Sequence, residues 1–456
     1  MFKTDQFTIS DYLGKTFSCE CNRQHSVPIK YILIEEGASL ALPDLIKSNG
    51  FQKSFLLYDS TTYSIAGTLI TSLMEQSQLP YTSYILKEAE PTPDEKALGD
   101  ILIHFDPSCD IIIAVGSGTL NDLCRFISYK MNLPYMIVAT APSMDGFASN
   151  VAPLIVNHMK TTYEAHVPFA ILGDTNIIKD APMNMIAAGI GDILGKYTCL
   201  CEWEIAHIIT GEYHCTSIES IVKRSLETVV ANINNAKHRT PEAAKSIMEA
   251  LVLSGIAMSF AGNSRPASGS EHHLSHYWEM MYLFQGKQPV LHGTKVGIGT
   301  VAVIKAYELL MSRDIDFKKA KEAAKQYSKE QWKEQMTKTY YSAADSVIEL
   351  EDQIGKNDPE HVIPRIRLLQ DNWDKLKEVA GHLPSSDTIR NYLDELKAPS
   401  NPMAVGIDKT TFINSFLVAK ELRNRFGLLQ ILFDLGLTEE IAEEVWMYFM
   451  RFHSIY

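Results

Sequence analysis

Two stretches of this chain set metal-ligating and acid–base side chains at helical spacing. In the first, Ala187-Ala188-Gly189-Ile190-Gly191-Asp192-Ile193-Leu194-Gly195-Lys196, a carboxylate stands where an apolar helix would put a core residue. Asp192 and Lys196 are four residues apart and share a helix face. Gly189, Gly191 and Gly195 each weaken a helix by about 1 kcal/mol relative to alanine, a cost that makes sense where something must approach the backbone closely. A lone helix aspartate is more simply a solvated or ion-paired residue. The second stretch shifts that balance: Ser268-Gly269-Ser270-Glu271-His272-His273-Leu274-Ser275-His276, followed by Leu291-His292-Gly293. His272 and His276 again share a face. One carboxylate with two or three imidazoles is a ligand set for a divalent metal with an open position.

The elements that must carry these residues change character along the chain. Stretches 29–34, 54–59, 81–86, 110–115, 135–139 and 167–175 read as strands, with helices predicted at 40–48, 62–76, 93–104 and after residue 118. Such alternation predicts a parallel, doubly wound sheet that binds ligands at the carboxyl ends of its strands. After residue 178 the pattern is helical, with stretches at 182–208, 217–236, 241–261, 270–284, 294–313, 317–355, 359–380, 386–396, 408–425 and 438–453. The expected architecture is α/β plus all-α: a Rossmann-like nucleotide-binding domain over 1–178, then a helical metal- and substrate-binding domain over 179–456.

Two loops fall at strand ends. Gly116-Ser117-Gly118-Thr119-Leu120-Asn121-Asp122 turns from strand to helix, where glycines let backbone amides approach a phosphate. It lacks the third glycine of the dinucleotide fingerprint, since Asn121 stands there, and a plain tight turn explains it equally well. Thr140-Ala141-Pro142-Ser143-Met144-Asp145-Gly146-Phe147-Ala148-Ser149 would open into the same crevice. Asp59 ends an earlier strand, where a carboxylate binds an adenosine ribose or caps the next turn. Near the start, Cys19, Cys21 and His25 form a small donor group; with no second pair, a short surface hairpin is the simpler reading.

With 456 residues, 46% apolar and 21% charged, the chain has the composition of an ordinary globular protein. A net charge of −13 argues against nucleic acid as partner, though not against a small phosphorylated substrate. The sequence contains no uncharged apolar run of membrane-spanning length, and Met1 to Gln6 lack the apolar core of a signal peptide. The scattered cysteines, seven in all, favour a reducing cytoplasm.

Taken in order, Gly116-Ser117-Gly118-Thr119, Ser143-Met144-Asp145-Gly146, Gly189-Ile190-Gly191-Asp192, His272 and His292-Gly293 resemble the iron-containing alcohol dehydrogenase superfamily. Ala141 to Gly146, Gly191 to Tyr197 and Ser264 to His272 are similar to its glycerol-1-phosphate dehydrogenase branch, above all the bacterial AraM-like members. The resemblance implies NAD(H) or NADP(H) contacts from Asp59, Gly118, Thr119, Leu120, Asn121, Asp122, Thr140, Ala141, Pro142, Ser143 and Ser149. It implies a zinc, nickel or ferrous ion held by Asp192, His272 and His292, with His272 and His276 as an alternative ligand pair and His273 as a competitor. Asp145, Asp192 and His276 would contact substrate, with Asp145 and His276 candidates for catalysis. Lys196 and Arg265 are the nearby cations for a phosphate, each equally readable as a structural ion pair. The implied reaction is reduction of dihydroxyacetone phosphate to sn-glycerol 1-phosphate, a precursor for phospholipid biosynthesis, in a homodimer. The alternatives are a polyol dehydrogenase on an unphosphorylated substrate and a non-catalytic nucleotide-binding protein. Asp59 favours NAD over NADP, because a carboxylate repels a 2′-phosphate.

Overall fold

A computed structural model describes residues 9–11, 13–88, 90–156 and 159–452; residues 1–8, which hold the segment read for targeting, lie outside them. The chain divides into two compact units. One comprises the chain up to Ile193 with Cys215–Pro266; the other comprises Leu194–His214 with the chain from Ala267 onward.

The first unit opens with a short antiparallel hairpin, β1 (Thr16–Ser18) and β2 (Gln24–Ser26). Its centre is a six-stranded sheet built from β3 (Tyr31–Glu35), β4 (Ser54–Asp59), β5 (Tyr81–Leu86), β6 (Ile111–Gly116), β7 (Tyr135–Ala139) and β10 (Ala170–Asp174). Its order is β3-β10-β7-β6-β4-β5, and every pairing is parallel. Strands β4, β6, β7 and β10 are buried along their whole length. That burial on both faces is why their sequences are continuous apolar runs, while edge strand β5 is only partly covered. Leu56, Tyr58, Ile113, Val115, Met136, Val138 and Leu172 belong to one apolar cluster with Ile70 and Met74 of the helix Thr68–Gln76. The hairpin β8 (Val151–Val156) and β9 (Met159–Glu164) stands outside the sheet and was not expected from sequence.

The chain leaves β4 toward β5 on one side, then returns past β4 to β6 on the other. The neighbouring carboxyl ends of β4 and β6 therefore form the switch point at which such sheets bind ligands. The helix α1 (Gly118–Met131) starts there.

After the sheet come α2 (Met183–Leu194), α3 (Lys196–Thr210), α4 (Thr216–Ala231) and α5 (Pro241–Ala261). The stretch expected as one helix over 182–208 is two helices that break at Gly195. The two compact units are not consecutive in sequence, because α4 and α5 belong to the unit that holds the sheet. α5 packs on α4, β3 and the Gly146–Ala148 turn. A Cβ on Gly255 of α5 would lie 3.1 Å from the Ala148 backbone, so the close approach requires glycine. α5 is long and apolar enough to cross a membrane, yet 72% of its most apolar window is buried inside the protein, as for a core helix.

The second unit is helical. It holds α3, α6 (Ser270–Phe284), α7 (His292–Met311) and further helices from Phe317–Ala324 to Thr438–Met450. The stretch expected as one helix over 317–355 is three, and Leu428–Leu435 is a helix where none was expected. α6 packs along α7 and against α3.

Candidate metal and cofactor site

In the first unit, the Gly116–Gly118 turn and Asp59 stand at the switch point. Ser117 makes no side-chain cap to α1, so the first N–H groups of that helix point into the crevice, an arrangement suited to a pyrophosphate. A Cβ on Gly118 would meet the Met144 side chain at 3.2 Å. Asp59 Oδ1 accepts the Thr62 N–H at 2.7 Å and forms a reciprocal capping box with Thr62. The carboxylate therefore caps the following turn, and burial raises its pKa despite hydrogen bonds that lower it.

Asn121 and Asp122 hold the loop after β7. Asn121 is fully buried, and its Nδ2 donates to the Gly146 carbonyl at 3.3 Å. Asp122 pairs at 2.7 Å with Arg125. Nothing in the sequence singled out Arg125. It is fully buried and donates to Tyr135 Oη at 2.9 Å, Val151 O at 3.0 Å, Phe147 O at 3.2 Å and Gly146 O. It thus fixes the loop that carries Asp145 and Ser149. Thr140, Ala141, Ser143 and Ser149 line this buried loop, and the Thr140 N–H donates to Gly116 O at 3.0 Å.

Asp192 lies on α2 with no exposed surface. Its Oδ2 accepts the Asp145 N–H at 3.0 Å. Asp145 is itself held by Ser254 of α5, whose Oγ donates to Asp145 Oδ2 at 2.8 Å. Ser254 is the second residue that sequence reading missed. Gly189 explains itself here: a Cβ on it would stand 1.9 Å from Pro142 O, so only glycine lets α2 rest on the 140–145 loop. Arg265, also in this unit, is buried, and its N–H donates to Asn263 Oδ1 at 2.9 Å.

In the second unit, His272, His276 and His292 surround a common space. Their ring centroids are 6.1 Å (272–276), 5.3 Å (272–292) and 5.4 Å (276–292) apart. His276 Nδ1 lies 3.6 Å from Glu279 Oε2. His272 Nδ1 donates to Glu271 Oε1 at 2.7 Å, which leaves its Nε2 lone pair for a ligand role. Glu271 is fully buried and also accepts from Gly269 N and Thr198 Oγ1, both at 2.6 Å. Burial alone would push its pKa up; His272, Thr198 and the Gly269 amide more than reverse this, so the net shift is downward and the carboxylate stays ionised. A carboxylate behind a metal-facing imidazole is the usual device for orienting such a ligand, so the donor set fits zinc, nickel or ferrous iron. Glu202 of α3 anchors the start of this segment by accepting Ser270 N at 2.9 Å and Leu428 N at 3.0 Å. His273 belongs to no ligand group among the described residues; burial, with Arg425 and Arg423 in electrostatic reach, holds its pKa well below the usual range. Lys196 is fully buried, and its Nζ donates to Ala267 O at 2.8 Å. A depression lined by Leu133, Pro134, His166 and Phe169 lies at the amino ends of β7 and β10, the wrong end of the sheet for the nucleotide.

The fold is that of the iron-containing alcohol dehydrogenases. The family profile described as "Iron-containing alcohol dehydrogenase" matches residues 33–182. The structure of a probable glycerol dehydrogenase from Sinorhizobium meliloti superposes with a TM-score of 0.61 at 14% identity, over 93% of this chain and 98% of that one. Glycerol-1-phosphate dehydrogenase [NAD(P)+] of Geobacillus stearothermophilus is 32% identical, over 95% of this chain and 99% of the relative. The Bacillus licheniformis protein of the same name is 37% identical over 68% of this chain and 79% of its own. The chain belongs to the glycerol-1-phosphate dehydrogenases of this family, and it is an oxidoreductase.

Proposed function

We propose that the chain reduces dihydroxyacetone phosphate to sn-glycerol 1-phosphate with NAD(P)H and one divalent metal. The near full-length relationship to glycerol-1-phosphate dehydrogenase carries the choice of substrate. The imidazole cluster with its carboxylate-oriented His272 supports the metal. In this reading Asp192, His272 and His292 hold the ion, and Asp59, Gly118 to Asp122, Thr140 to Ser143 and Ser149 hold the dinucleotide. When bound, the metal supplies a Lewis acid for the C2 carbonyl and the dinucleotide supplies the hydride.

The protein's own groups do the rest. Glu271 keeps His272 in the tautomer protonated at Nδ1. The Asp145 N–H orients the Asp192 carboxylate, and Ser254 fixes the Asp145 carboxylate to position a substrate hydroxyl. His276 delivers the proton to the C2 oxygen from its ring. Lys196 and Arg265 attract the phosphate. The chain acts as a homodimer in the cytoplasm, without a nucleic-acid partner; free cysteines and a net charge of −13 support the last two readings. Asp192→Ala should abolish metal retention and turnover together; a variant that keeps both would remove Asp192 from the site.

A further inference from the structure

The first unit contains a second donor cluster, which shares no residue with the set of Asp192 and the imidazoles. Hairpin β1–β2 turns through Cys19-Glu20-Cys21-Asn22-Arg23, with Asn22 at a left-handed φ of 63° and its N–H donating to Cys19 O at 3.0 Å. That turn brings Cys19, Cys21 and His25 to one place. The fourth member, Cys215, comes from the residue preceding α4. The three thiol sulfurs and one His25 ring nitrogen all lie within 4.8 Å of one another. Cys19, His25 and Cys215 are buried, and Cys21 is partly covered.

We propose that Cys19, Cys21, His25 and Cys215 bind a structural zinc ion. Three observations carry this. The first is distance. Tetrahedral zinc with Zn–S of about 2.3 Å and Zn–N of about 2.0–2.1 Å requires S···S edges of about 3.8 Å and S···N edges of about 3.5 Å. Cys19 Sγ lies 3.6 Å from Cys215 Sγ, and Cys21 Sγ lies 3.4 Å from His25 Nε2. The second is the tautomer. His25 Nδ1 lies 2.9 Å from Phe260 O. A carbonyl only accepts, so Nδ1 carries the proton and Nε2 presents its lone pair to the thiols. The third is the donor set. Three thiolates and one imidazole, with no fifth ligand group among the described residues and little exposure, make a closed zinc site rather than a catalytic one.

The site joins parts of the unit that lie far apart in sequence. It ties the hairpin to the start of α4 and, through Phe260 O, to the end of α5. Its role is to fix the edge of the unit on which the two returning helices pack, and its ion is distinct from the one held by Asp192 and the imidazoles.

The test is metal content by mass spectrometry of the full chain purified from zinc-supplemented growth. Wild type should hold tightly bound zinc that survives Asp192→Ala, and the double variant Cys19→Ser/Cys21→Ser should lose one equivalent of it. If the double variant does not fold, Asp192→Ala and the wild-type chain still decide the matter. Zinc-edge absorption of Asp192→Ala should show a shell of three sulfurs and one nitrogen, and three thiols should resist alkylation until a chelator is added. A zinc shell without sulfur, identical zinc content in the double variant, or a Cys19–Cys215 disulfide in the purified protein would overturn the proposal.

Discussion

Replacing Gly189 with alanine sets two effects against each other, and the structure says which wins. Alanine in a helix interior is favoured over glycine by about 1 kcal/mol. At Gly189, however, the added Cβ would lie 1.9 Å from Pro142 O. Carbon and carbonyl oxygen approach no closer than about 3.3 Å, so α2 or the 140–145 loop must move by about 1.4 Å. The obstacle is backbone, and it cannot rotate away. Overpacking of this kind costs about 1–3 kcal/mol or more, which outweighs the propensity gain. The same shift would pull the Asp145 N–H away from Asp192 Oδ2, now 3.0 Å distant, and a displacement of about 1 Å near a reacting centre costs about 100-fold in rate. Gly189→Ala should therefore lower the urea midpoint and cut kcat/KM for dihydroxyacetone phosphate by about 100-fold. Gly99→Ala is the control. It lies in the helix Glu95–His104 with nothing within 4 Å of its added Cβ, and should stabilise by up to about 1 kcal/mol. A Gly189→Ala protein as stable and active as wild type would refute the reasoning.

Other changes test separate parts of the account. Arg125→Met removes a buried guanidinium and leaves Asp122 and the carbonyls of Gly146, Phe147 and Val151 without it; chemical denaturation should show a loss of about 3–5 kcal/mol. Glu271→Gln keeps the shape behind His272 but removes the charge, and metal titration should show an affinity about 10- to 100-fold weaker. Asp59→Gly should raise relative use of NADPH, read from the ratio of kcat/KM values, if the carboxylate reaches the ribose as well as capping its turn. Glu421 governs acid stability. Burial raises its pKa, but Lys420 and Lys356 more than offset this and hold it at about 2, below the ordinary value of 4.5. The unfolded chain therefore binds more protons in this range, and stability should fall as pH drops from about 4.5 toward about 2; Glu421→Gln should flatten that part of the pH–stability curve.

The parallel sheet was legible because its central strands are buried on both faces and so read as unbroken apolar runs bounded by turns. The glycine at 189 was legible as a site of close approach, although the partner proved to be Pro142 O rather than a ligand. What could not be read is what depends on residues distant in sequence. Arg125 looks like any helix cation until Tyr135, Gly146, Phe147 and Val151 close around it. Ser254 is one small polar residue in an apolar helix, and only packing brings it to Asp145. The return of α4 and α5 to the sheet unit leaves no local trace, because helical periodicity reports that a face is buried and not against what. For the same reason Cys215 could not be joined to Cys19, Cys21 and His25 by spacing. Strands β8 and β9 escaped notice because β8 carries Pro153 in its interior and β9, Met159-Lys160-Thr161-Thr162-Tyr163-Glu164, is mostly polar.

The most direct test of the central claim is NADH oxidation by metal-depleted protein after addition of zinc, nickel or ferrous iron, first with dihydroxyacetone phosphate and then with dihydroxyacetone. The account predicts metal-dependent turnover confined to the phosphorylated ketone, with sn-glycerol 1-phosphate as product. Turnover of dihydroxyacetone alone, or none with any metal, would contradict it.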